Sequence, residues 1–141
     1  MRTDPAHAEA VAASLDLAAE RGGDLTPQVY ALLFERQPEM KALFWRDANG
    51  AIKGEMLMKV FEALLDFIGE RRYADHLIET EVVTHEGYDV PRDVFATFFG
   101  VVAEAVREAC GEAWTPAMEA GWRQTLIDLD HYVIRPAPVS A

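Results

Sequence analysis

The sequence predicts an all-α domain of six or seven helices, and three observations carry that expectation. Apolar residues recur at helical spacing along most of the 141 residues. Three pairs, Asp4-Pro5, Thr26-Pro27 and Thr115-Pro116, set a capping side chain before a proline. A cap oxygen satisfies an orphan amide, and a proline at the first helical position has no amide to lose. No run alternates polar and apolar residues as a half-buried strand would.

The first helix follows Asp4-Pro5 and shows a weak stripe of Val11, Leu15 and Ala18. The second follows Thr26-Pro27 towards Phe44 and is interrupted at Gln37-Pro38, because a residue before proline is pushed out of helical geometry. From Gly54 to Glu70, Glu55, Lys59, Glu62 and Asp66 form one narrow polar stripe. Met56, Leu57, Met58, Val60, Phe61, Leu64, Leu65, Phe67 and Ile68 occupy the rest. A helix packed on one neighbour needs one apolar face, so this one is expected to be covered on most sides.

A fourth helix carries Ile78, Val82 and His85 at spacings of four and three and stops at Gly87. Pro91 opens the fifth, whose Val94, Phe95, Phe98, Phe99, Val101, Val102 and Val106 oppose a stripe of Asp93, Thr97, Glu104 and Glu108. The last helix, from Pro116 to about Val133, repeats Met118, Trp122, Leu126, Leu129 and Val133 at turns of three and four. One domain over residues 1–134 is expected. Arg135 to Ala141, with prolines at 136 and 138, reads as an extended tail.

Composition excludes several classes. With 24 acidic against 13 basic residues, the formal net charge is −11. That argues against nucleic acid and against an anionic membrane surface, both of which need clustered Lys and Arg. A single cysteine, Cys110, permits no internal disulfide, no four-thiolate zinc site and no CxxCH haem attachment. The longest strongly apolar run, Val94 to Ala103, falls far short of the ~20 residues of a membrane span. Residues 1–20 lack a basic start followed by an apolar block, so no signal peptide is expected and the cytoplasm is the expected compartment.

Of the four histidines, His7 and His131 sit near chain ends and His76 reads as surface. His85 differs, projecting from the apolar face of its helix close to that helix's end. An imidazole there needs a hydrogen-bond partner or a metal. Two readings stand: a core histidine bonded to a backbone carbonyl, or a ligand. Glu81, not a second histidine, stands one turn before it, which disfavours a His-x-x-x-His zinc site. Haem is the metal group that asks for one protein ligand and a large apolar slot. A tightly packed helical core would explain the same apolar faces.

The order and spacing of particular residues resemble a globin, more particularly the haem domain of flavohaemoglobins and bacterial single-domain globins. The similarity runs from about Leu25 to about Leu129. It comprises Leu25-Thr26-Pro27, Tyr30, Phe34, Pro38-Glu39, Phe44 and Leu57, then His85-Glu86-Gly87-Tyr88-Asp89-Val90-Pro91 and Phe95. Gly111 to Pro116 and Trp122 complete it.

The resemblance implies a non-covalent haem b whose iron is held by His85. It implies Phe44 packed flat on the porphyrin, Val90 and Phe98 on the proximal half, and Leu57 above the iron. Phe61, Val82 and Phe95 complete the haem contacts. Tyr30 matches a distal tyrosine, because a phenol donor in a dry pocket stabilises partial negative charge on a bound gas. Lys53 falls where flavohaemoglobins carry a distal glutamine and could donate to the ligand or snorkel to water. Phe95 replaces a proximal tyrosine, and the glutamate expected near Val139 is absent.

The function so implied is reversible binding of O2, and of NO and CO, at haem iron. The alternatives are nitric-oxide dioxygenase or peroxidase-like turnover fed by a separate reductase, or a globin-shaped sensor or interaction module. Trp45 and Tyr132 are candidates either for a homodimer contact or for packing.

Overall fold

A computed structural model describes residues 3–44, 50–87, 90 and 92–133, except the side chains of Leu43, Phe44, Arg92 and Asp93. Helix α1 (Pro5–Gly22) begins where the Asp4 carboxylate accepts the Ala6 amide at 2.8 Å. Helix α2 (Thr26–Arg36) stops before Pro38, and a 3-10 segment covers Pro38–Phe44. Helices α3 (Ala51–Ile68), α4 (Ala74–Glu86) and α5 (Arg92–Cys110) follow. A 3-10 turn (Gly111–Ala113) leads into α6 (Pro116–Val133). The described residues contain six α-helices and no strand. Trp45, Tyr88, Asp89, Pro91 and the tail from Arg135 lie outside them.

Helices α1, α5 and α6 pack on one another and hold half of the core. Val11, Val101, Val102, Val106 and Val133 are fully buried there. At the same seam the Trp122 indole donates to Ser14 Oγ at 2.8 Å, and Ser14 donates to the Val11 carbonyl at 2.6 Å. Cys110 is buried beside them, its thiol 3.4 Å from the Ser14 carbonyl; burial raises the thiol's pKa against a smaller pull from Arg21, which leaves it inert. Helix α2 lies on α5, while α4 contacts α3, α5 and α6.

Several expectations change in detail. Thr26 is not the cap of α2: Asp24 Oδ1 accepts both the Thr26 amide at 2.9 Å and its hydroxyl at 2.6 Å. A carboxylate two residues upstream outcompetes the shorter hydroxyl. Helix α3 starts at Ala51 rather than Gly54, because Gly50, at φ 77°, makes the left-handed turn that opens it. Nor is α3 covered on most sides: Met58 is 63% exposed and Leu65 47%, while Leu57, Leu64, Phe67 and Ile68 are buried. Tyr132 is a packing residue, edge-on to Phe67 with its hydroxyl 3.4 Å from Asp75.

The corner between α3 and α4 fixes the later site. Asp66 accepts the amides of Arg72, Tyr73 and Ala74 at 2.9–3.0 Å, so one carboxylate caps the start of α4. Arg71 turns the chain at φ 54°, lays its guanidinium 3.8 Å over the Phe67 ring and donates to the Phe67 carbonyl and Thr3 hydroxyl. Desolvation opposes ionisation of Asp66, yet the three amides and the Arg72 charge together hold its carboxyl below the ordinary range.

A lowered folded value stabilises the fold at neutral pH, and that stabilisation disappears as the pH falls through it. Asp66→Ala is therefore expected to cost about 1 kcal/mol at pH 7 in denaturant unfolding. The gap to wild type should narrow as the pH falls below the ordinary carboxylate range. A Cβ at Gly121 would sit 3.0 Å from the His7 carbonyl oxygen and 3.1 Å from Val11 Cγ2, both on stiff helical positions of α1. Gly121→Ala should gain helix propensity but force α1 and α6 apart, for a net loss of about 1–2 kcal/mol by the same assay.

Candidate functional site

Helix α4 carries Ile78 and Val82 into the core, 3% and 1% exposed, and His85 follows on the same face as the penultimate residue of the helix. Gly87 terminates the helix, its amide reaching back to the Val83 carbonyl. The His85 side chain is 24% exposed. Its Nδ1 lies 2.7 Å from the Glu81 carbonyl oxygen, one turn earlier. A carbonyl can only accept, so Nδ1 carries a proton, and in the neutral form of such a ring the lone pair lies at Nε2. The Glu81 carboxylate lies 3.6 Å from the same Nδ1. Both readings of His85 are thus compatible, since a carbonyl-bound imidazole is also an oriented ligand.

Phe95 sets its ring 4.9 Å from that of His85, inclined at 64°, and stacks edge-on with Phe99 at 5.9 Å. The histidine ring is therefore fixed by a hydrogen bond on one side and an aromatic wall on another. Val90 closes this end of α4 at 9% exposure, its amide bonded to the His85 carbonyl at 2.9 Å.

One turn along α5, Phe98 faces Tyr30 at 5.7 Å. Tyr30 is 2% exposed and also packs on Phe34, one turn ahead on α2, at 5.9 Å. A cleft of about 450 Å³ opens beside it, lined among others by Asp24, Phe34, Gly50 and Lys53. Lys53 thus shares a cleft with Tyr30, whereas His85 does not line it. Of the other sequence-derived candidates, Leu57 is 2% exposed in the core and Phe61 is half-buried. Phe44 ends the 3-10 segment, and its side chain lies outside those described.

Two features escaped the sequence reading. Glu81 entered it only as a residue that is not histidine, although its position four before His85 is the spacing that lets a carbonyl meet a ring nitrogen. Asp24 gave no signal beyond its closeness to Thr26-Pro27. Among the described residues no three His, Cys, Asp or Glu side chains gather as a metal cage.

Among the described residues, an all-helical domain carries an oriented imidazole at one helix end and a separate cleft lined in part by Tyr30. The family model for Globin matches residues 27–131, and the chain belongs to the globin family. No curated protein and no solved structure matches it. Globins as a family hold haem iron and bind diatomic gases, and the donor set fits that group. His85 commits Nδ1 to the Glu81 carbonyl, so Nε2 is the nitrogen that could serve a metal, and Val82, Val90 and Phe95 around this end of α4 are apolar. No helix among the described residues is long and apolar enough to cross a membrane.

Proposed function

We propose that this chain is a haem-binding globin of the bacterial single-domain kind, similar to the haem domain of flavohaemoglobins, that takes up O2, NO and CO reversibly. The observation that carries the reading is the His85 ring, with Nδ1 bound 2.7 Å from the Glu81 carbonyl inside the span that matches the family. When bound, haem b supplies a ferrous centre with a coordination position for a gas.

His85 would hold the iron through Nε2, and the Glu81 carbonyl fixes the tautomer and tilt this requires. Phe95 limits rotation of the ring. Val82, Val90 and Leu57 exclude water, and Phe44 and Phe61 extend the apolar lining by resemblance. Tyr30, held between Phe34 and Phe98, would orient a phenol O–H towards the gas, with Lys53 at the cleft beside it. A donor already fixed by packing stabilises charge without reorganising.

His85→Ala should purify with little haem, and added imidazole should restore the ferrous and carbonyl absorption bands. A variant that keeps wild-type spectra without imidazole would overturn the ligand assignment. Tyr30→Phe removes one hydrogen bond of about 0.5–1.5 kcal/mol, so O2 should dissociate about twofold to thirteenfold faster in stopped-flow measurements. Unchanged release would remove Tyr30 from the function.

A further inference from the structure

The Glu81 side chain has no part in the reading so far, yet it stands beside the proximal imidazole. Its Oε2 is 3.6 Å from His85 Nδ1, with the two side chains 42% and 24% exposed. At that length it is not a hydrogen bond, and the Nδ1 proton already goes to Glu81's own carbonyl at 2.7 Å. What remains is a negative charge held next to the N–H end of the ring. Phe95, on another side of the ring, brings no charge to balance it.

We propose that Glu81 is a positioning residue for His85, whose carbonyl aims the imidazole and whose carboxylate makes Nε2 a stronger donor to iron. The proposal rests on His85 being the proximal ligand. A negative charge beside the distant nitrogen polarises the ring through space, which raises the basicity of the nitrogen that faces the metal. Because the carbonyl bond and the carboxylate come from one residue, ring orientation and charge distance are fixed together. The pair is partly exposed, so water and salt screen it and the tuning is moderate.

The test uses haem-loaded protein and the Glu81→Gln variant, which keeps the shape and the carbonyl but removes the charge. The iron–histidine stretching band of the ferrous form should move to lower frequency, and the ferric/ferrous midpoint potential should rise. Haem content should be unchanged. Glu81→Asp, which retains a carboxylate at greater reach, should fall between the two. High salt should shrink the difference between wild type and Glu81→Gln. Glu79→Gln, which removes the same charge six residues from His85, should leave both readouts in place.

An unmoved band and potential in Glu81→Gln would overturn the proposal, and so would an equal shift in Glu79→Gln, which would mark a net-charge effect. Absence of any iron–histidine band from the wild-type protein would instead overturn the ligand assignment beneath it.

Discussion

The hydrogen bond from His85 Nδ1 to the Glu81 carbonyl is short in sequence but stands at the end of a long series of constraints. It can form only if α4 is regular up to its last turn. That regularity starts at the other end, where Asp66 ties three amides and Arg71 braces the corner on Phe67. Ile78 and Val82 then seat the helix against the core, which decides which face His85 occupies. A residue at the tip of a helix is thus placed by residues of the preceding one. A weakly held α4 would leave the imidazole free to rotate, and a rotating ligand is a weak one.

Helix α5 gives the two halves of the site a common frame. Phe95 meets His85 and Phe98 meets Tyr30, and the two phenylalanines are one helical turn apart. His85 and Tyr30 come from different helices, yet each leans on the same element. Beneath them Val101, Val102 and Val106 bury that element in the α1–α6 core. Rigidity of the core is thereby passed to both side chains, which agrees with the general need to build sites on regular elements rather than loops.

Most of the architecture could be read from periodicity. The bounds of α6 and the break at Gln37-Pro38 follow directly from spacing and proline stereochemistry, as does the burial of Val11, Ile78, Val82 and Trp122. What escaped were interactions without a period. The reach of Asp66 across six to eight residues depends on how the chain turns at Arg71, and no pattern encodes that turn. Met58 and Leu65 looked like core because apolar composition alone does not say which neighbours will arrive. In the site, position 85 was legible because polarity interrupts an apolar stripe, whereas Glu81 resembled every other solvated acid. Its two contacts with the imidazole emerge only once the helix is built.

The indole-to-hydroxyl bond between Trp122 and Ser14 joins residues 108 positions apart. A ribosome releases α1 before its partner. At about 5–20 residues per second, the apolar stripe of α1 waits roughly 5–20 s before α6 emerges to cover it. During that interval α1 is an unpaired amphipathic segment, open to chaperones and to neighbouring nascent chains. Closure of the bundle therefore waits for α6, and codon changes that slow translation between the two helices would lengthen the exposure without altering the finished molecule.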